Sequence, residues 1–341
     1  MLRSAAVAVT LLAAAAVAAP AARADAPGTW RFSDDTRPIK AVVVGGSVTA
    51  WPRGNFGHFL EAACPRVEIA LKGKERLGSR ALAQRVKDMV IKNRRVKVAD
   101  YEAAWLIFQS GLNTIASPAE VNRDQAAVYA MAHDHGMKVI ALTVGPWGAE
   151  RDARRWAWTH GLTYAGYTKK TADFVLGRLT PEEALGRYAK ERQTPDWTAA
   201  ERPDIAVDLY YDSPLRDQEA PLRDAAAAER YTRRDPAIRR ELAALPDDAA
   251  REARVAELVA QVRELPRWFM KQELHSFDHI HPNMEGHRLM AETICPRLPA
   301  SWGCDCGAIA AMDWLKKGGG VGPKVEQSAA APEPAEDQLP N

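Results

Sequence analysis

Residues Ile39–Thr49 read Ile-Lys-Ala-Val-Val-Val-Gly-Gly-Ser-Val-Thr. An almost continuous β-branched run that stops at two glycines is the pattern of a strand buried on both faces of a parallel sheet. Four similar runs come after it, at Val67–Leu71, Trp105–Phe108, Lys138–Val144 and Ile205–Leu209. Longer amphipathic stretches separate them. Phe56–Cys64 and Ser79–Lys92 carry helical periodicity, and a third helix opens at Ser117-Pro118-Ala119-Glu120, a capping box with proline at the first helical position, and closes at Gly136. Thr180-Pro181-Glu182-Glu183 repeats that start signal ahead of the fifth run. Strand alternating with helix predicts an α/β fold: a three-layer, doubly wound parallel sheet of about five strands, with ligands beyond the carboxyl ends of the strands.

The chain has 341 residues and 47% apolar content, enough for a sizeable core. Its 46 Lys and Arg against 44 Asp and Glu leave no basic footprint, so nucleic acid is not an expected partner. Residues 1–24 combine a positive start with Arg3, an apolar run Ala5–Ala19 and a small-residue end at Ala22-Arg23-Ala24, the three parts of a secretory signal peptide. The run is shorter than the roughly 20 residues a membrane-spanning helix needs. Cleavage before Asp25 removes Arg3 and Arg23 and leaves 44 charges of each sign. The expected location is outside the cytoplasm, periplasmic or secreted, with no transmembrane helix after signal removal.

An oxidising compartment favours disulfides for Cys64, Cys295, Cys304 and Cys306. Cys304 and Cys306 are too close to bridge each other without strain, so each is expected to reach a different partner among Cys64 and Cys295; one bridge with two free thiols is the alternative. Two segments interrupt the α/β rhythm. Residues 216–266 are rich in Ala, Glu and Arg with opposite charges at helical spacing, which predicts two or three exposed inserted helices. Residues 317–341 carry Gly318-Gly319-Gly320 and then a Pro, Ala, Glu and Gln tract, which predicts a disordered tail. The domain proper therefore spans 25–316.

Three segments carry candidate chemistry. Gly45-Gly46-Ser47 ends the first strand, where glycines allow close backbone approach to a nucleophilic hydroxyl; a helix cap or phosphate cradle is the plainer reading. Gly111-Leu112-Asn113-Thr114 ends the third strand on the same rim, where an Asn amide can meet a substrate oxygen or serve only as a turn residue. Asp278-His279-Ile280-His281-Pro282-Asn283 precedes a helix over about Met284–Thr293, and its Asp and His can supply a base and the group that orients it. His275, His279, His281 and His287 cluster in sequence, but without HExxH-type spacing no metal is expected.

Together these segments resemble the SGNH (GDSL-like) hydrolase family. The family's Gly-Asp-Ser corresponds to Gly45-Gly46-Ser47, its Gly-x-Asn-Asp to Gly111-Leu112-Asn113-Thr114, and its Asp-x-x-His to Asp278–His281, with His281-Pro282-Asn283 and Gly286-His287 extending the match. Order and spacing agree over about Lys40–Pro296 apart from the insertion. The resemblance implies a flavodoxin-like sheet and an exported serine esterase needing no cofactor: Ser47 attacks, His281 is the base, Asp278 orients it, and the oxyanion is held by the Ser47 amide, the Asn113 side chain and a second-block amide. That amide falls to Arg76 by counting back from the helix, with Gly73 and Gly78 as alternatives. Gly46 and Thr114 stand where the family has acids, so contacts that brace the nucleophile turn are expected to be lost. Trp51 and Trp147 are candidate pocket walls, and the insertion a candidate lid. Substrates in range are esters, including acylated glycans and lipids. A non-catalytic polysaccharide- or partner-binding protein and a sugar acyltransferase are the rival readings; the oligomeric state is not legible. In such a sheet the first and last helices share a face, so the C-terminal cysteines can tie the chain across it.

Overall fold

In the computed structural model, Ile39–Gly45 (β1), Val67–Leu71 (β2), Ala103–Gln109 (β3), Lys138–Leu142 (β4) and Ile205–Val207 (β5) pair side by side in the order β2-β1-β3-β4-β5, every pair parallel. The structure describes residues 30–51, 54–92, 96–150, 161–276 and 278–312. The expected leader over residues 1–24 and the expected tail over 317–341 lie outside the described residues, and the sheet with all its helices belongs to the unit that starts at Arg31. In this order the winding reverses between β1 and β3, which opens a crevice beyond their carboxyl ends. The register sets Gly45 beside Gln109 at that edge.

Both faces of the sheet are covered, which explains why its strands are apolar throughout. Phe56–Ala63 (α1) packs on one face with the last helix of the fold, Met284–Ile294, burying Phe56, Phe59, Leu60, Met290 and Ile294 against Ala41, Val43, Trp105 and Ile107. Each such side chain contributes about 1.5–3 kcal/mol by leaving water. On the opposite face lie Ser79–Val86 (α2), Pro118–Asp134 (α3) and Leu162–Val175 (α4); Phe108 meets Tyr129 edge-on, and Tyr129 stacks on Phe174. The short Pro181–Leu185 (α5) leans on α3. Lys40, the charged residue within the first strand, is buried because it reaches the amino end of the sheet, where its ammonium pairs with its cross-strand partner Glu68 at 2.8 Å and with the Asp34 carbonyl.

The insertion forms Ala225–Arg234 (α6), Pro236–Ala243 (α7) and Asp248–Arg263 (α8), and its ends are clipped together by antiparallel bridges Arg216–Met270 and Leu222–Pro266. The final helix Met284–Ile294 is α9. Local expectations differ in three places. β4 and β5 stop early because the Thr143 hydroxyl takes over the ladder, accepting from the Leu209 amide at 2.8 Å. The helix begun at Ser79 leaves α-geometry after Val86 and widens over Lys87–Ile91. The capping box at Ser117 does not form: its side chain makes no cap bond, and Glu120 pairs with Arg123 instead. The box at Thr180 does form, with Glu183 returning to the Thr180 amide at 2.8 Å.

Cys64 bonds Cys304, and Cys295 bonds Cys306. The first bridge ties the end of α1 to the chain beyond α9, across a sequence separation of 240, and the second closes a separation of 11. In the chain-entropy model these constrain the unfolded chain by about 5 and about 3 kcal/mol. Replacing Cys64 and Cys304 together by Ser is expected to lower the unfolding free energy by several kcal/mol, less any strain relieved. Urea denaturation of the oxidised protein checks this, and an unchanged midpoint would contradict it.

Candidate active site

The β1 edge dictates how Ser47 is presented. A Cβ on Gly45 would collide with the Gln109 carbonyl and the Thr49 side chain, so only glycine lets β1 turn there. After the turn, the Gly46 carbonyl accepts from the Thr49 hydroxyl at 2.9 Å and from the Ala50 amide at 3.0 Å. Asn55, fully buried, caps α1 through its side-chain oxygen on the Gly57 amide and donates its Nδ2 to the carbonyls of Val48 and Thr49 at 3.2 and 3.0 Å. One side chain thus fixes both the helix start and the turn that carries Ser47. Its sequence signature is an Asn immediately before an apolar helix. The bracing expected to vanish with the Asp at position 46 is supplied by Thr49 and Asn55.

The second segment arrives from β3. Asn113 lies in a turn, Leu112–Thr114, with its Nδ2 donating to the Leu77 carbonyl at 3.0 Å and standing 3.5 Å from where a Cβ on Gly46 would be. Thr114, in place of an acid, keeps an acceptor: its hydroxyl oxygen receives the Ser79 amide at 2.9 Å and caps α2 from outside. The three second-block candidates separate. Gly73 packs against the Thr49–Ala50 backbone and Gly78 against the Thr114 hydroxyl, so both are contact glycines. Arg76 has φ 62°, the left-handed region, and is the single non-glycine there among the described residues. Holding an arginine in that region costs on the order of 1 kcal/mol or more.

The third segment is an Asx turn. Asp278 Oδ1 accepts the backbone N–H of Ile280 at 3.0 Å and of His281 at 2.9 Å, and the carboxylate faces His281 Nδ1 at 3.0 and 3.1 Å. Asn283 then caps α9 and donates Nδ2 to the Glu273 carbonyl, which pins the loop from its far side. With Nδ1 held by a carboxylate, Nε2 is presented as an acceptor. It lies 2.7 Å from Ser47 Oγ. Burial pushes the Asp278 carboxyl up, but hydrogen bonds from the His281 ring and from the His281 and Ile280 amides outweigh it and leave it below its ordinary value.

These groups border a small cleft lined mainly by apolar side chains, among them Leu77, Val144, Trp147, Met270 and Ile280. Trp147, which follows β4, is among the residues lining this cleft, and its indole N–H donates to Thr168 at 3.0 Å. Trp51 is not: it does not line the cleft, and its ring lies against His287 at 5.9 Å. The insertion reaches the cleft only at its two roots, through Leu215 and Met270, which flank 216–266. The histidines divide. His275 and His279 rings stand 4.5 Å apart beside the Asp278 turn, whereas His287 is buried on α9 against Phe56.

No family model matches the chain, and no curated protein does. Solved structures do. A member of the lipolytic protein G-D-S-L family from Veillonella parvula is 12% identical, covering 76% of this chain and 97% of its own at a TM-score of 0.39. A GDSL-like lipase from Bacteroides thetaiotaomicron is 15% identical, with 75% and 86% covered and a TM-score of 0.40. A catalytic mutant of an acetylxylan esterase from Geobacillus stearothermophilus is 14% identical, with 77% and 95% covered and a TM-score of 0.36.

His287 makes stability depend on pH. Burial, aided by the nearby His281 and His58, pushes its imidazole down to about 3, and neither ring nitrogen has a hydrogen-bond partner among the described residues. The folded chain therefore holds it neutral while the unfolded chain takes a proton below the ordinary value of 6.5. Its contribution to stability is complete above that value and is lost progressively as pH falls toward 3. The slope is about 1.4 kcal/mol per pH unit. Between pH 7 and pH 5, chemical denaturation should show wild type losing about 2 kcal/mol more than His287→Phe; equal losses would contradict the assignment.

Proposed function

We propose that this protein is an exported serine esterase of the SGNH type that hydrolyses a carboxylic ester through an acyl-enzyme on Ser47. The observation that carries the reading is the 2.7 Å contact between Ser47 Oγ and His281 Nε2, with Asp278 on the far nitrogen and an apolar cleft alongside. A protein that only bound a glycan or a partner would have no use for that relay. Export is supported by the leader pattern of residues 1–24 and by two disulfides.

Ser47 Oγ attacks the ester carbonyl as its proton passes to His281 Nε2. The imidazolium so formed is stabilised by Asp278, whose carboxylate stays ionised because its pKa is held down. The tetrahedral oxyanion is met by the Ser47 amide, the Asn113 side chain, oriented by its anchor on Leu77, and the Arg76 amide. Collapse breaks the ester C–O bond, and His281 returns the proton to the departing alkoxide. Water, deprotonated by the same nitrogen, then releases the acid and restores Ser47. The substrate is an ester of the kind found on acylated glycans, lipids or small molecules.

Assay on a panel of short and longer acyl esters and acetylated sugars is expected to show turnover that Ser47→Ala abolishes. Asn113→Ala should lower kcat about a hundredfold or more, the loss of one oxyanion donor. Turnover that survives Ser47→Ala would overturn the mechanism.

A further inference from the structure

A short antiparallel ribbon abuts the Asp278–His281 turn. Trp268 pairs with Ala149, and Met270 with Arg216, where the insertion leaves and rejoins the domain. Gly148 stands between this ribbon and the turn. Its carbonyl accepts the Phe269 amide at 3.2 Å, and its own amide donates to the His279 carbonyl at 2.6 Å. The residue has φ 92°, which glycine adopts without a steric penalty, so it can serve both neighbours at once.

A charged pair locks the junction. Glu150, 5% exposed, accepts from Arg267 Nε at 2.9 Å, while its amide donates to the Arg267 carbonyl at 2.6 Å. Side chain and backbone thus join the same two residues and fix the register in which Gly148 meets Phe269. Arg223, also buried, brings a second positive charge near the carboxylate, so Glu150 keeps a counter-charge when Arg267 is replaced. A carboxylate taken out of water is costly, and an apolar pair of similar size often serves stability as well or better; what a buried ion pair can add is one fixed register.

We infer that Arg267 is a positioning residue for His281: its pair with Glu150 sets the register of the 148–150 segment, Gly148 passes that register to the His279 carbonyl, and the imidazole is thereby held where it meets Ser47. This rests on the esterase reading of the site, which is what makes the placement matter. His279 follows Asp278, whose carboxylate accepts the Ile280 and His281 amides and faces the His281 ring. A shift of one peptide in this turn therefore moves the base and the group that orients it together. His281 Nε2 stands 2.7 Å from Ser47 Oγ, and a misplacement of about 1 Å can cost about a hundredfold in rate.

The test is a cycle of fluorophosphonate labelling at Ser47 in wild type, Arg267→Ala, His281→Ala and the double variant. Arg267→Ala should label about tenfold or more slowly than wild type, and Arg267→Lys, which keeps the charge, should recover part of the rate. In the His281→Ala background the same substitution should change the rate by less than about twofold, because the residue it acts through is gone. Equal slowing in both backgrounds would mean a general loss of structure, and no slowing in the wild-type background would mean that the turn is held without Arg267; either overturns the inference. Hydrogen exchange of the peptide spanning residues 278–281 reads the link without chemistry, and it should quicken in Arg267→Ala while the β1 and β3 peptides keep their rates. Quickened exchange in a protein whose wild type is not labelled would sink the esterase reading and leave the link from Arg267 to the turn standing. Labelling that depends on His281 but ignores Arg267 would sink the inference alone.

Discussion

The hydrogen bond between Ser47 and His281 joins side chains 234 positions apart in the sequence, and most of the fold can be understood as what is needed to make it. Neither partner has local means of finding the other. Ser47 is carried by β1, which lies inside the sheet between β2 and β3 and is buried along its whole length, so its end point is fixed by packing on both faces. His281 is carried by a loop that α9 anchors, and α9 shares its sheet face with α1, the helix that starts just after the Ser47 turn. The disulfide from Cys64 to Cys304 closes the same face covalently. Relative movement of the two carriers is resisted by core packing and by a cross-link together.

Rigidity continues into the site through side chains that satisfy two elements at once. Asn55 caps α1 and holds the turn behind Ser47; Asn283 caps α9 and holds the loop behind His281. Thr114 joins the Asn113 turn to the start of α2. Each is a short polar residue at a helix start, where unpaired backbone N–H groups already demand an acceptor. The demands of helix capping and of site geometry are met by the same atoms, which is how the turns stay fixed although Gly46 and Thr114 offer no carboxylate.

Much of this was legible in the chain. β-branched runs and helical periodicity located every strand to within a few residues, and the Asp278–Asn283 turn could be read because its residues act on one another over three or four positions. What failed was decided by distant groups. The Thr143 hydroxyl, not strand propensity, ends β4 and β5, and Glu120 left Ser117 for Arg123. Trp51 looked like a pocket wall from its distance to Ser47 in sequence, but an aromatic surface offered by α9 draws it away. Asn55 carried a readable helix-start signal, yet its two bonds to the Ser47 turn depend on a fold that the local sequence does not describe.

Covalent labelling tests most directly whether Ser47 is a nucleophile activated by His281. Intact-mass and peptide mapping after treatment with a fluorophosphonate should find one adduct, on the peptide containing Ser47, formed in wild type and at least a hundredfold more slowly in His281→Ala. Absence of an adduct in folded wild-type protein, or labelling of a different serine at the same rate in both proteins, would contradict it.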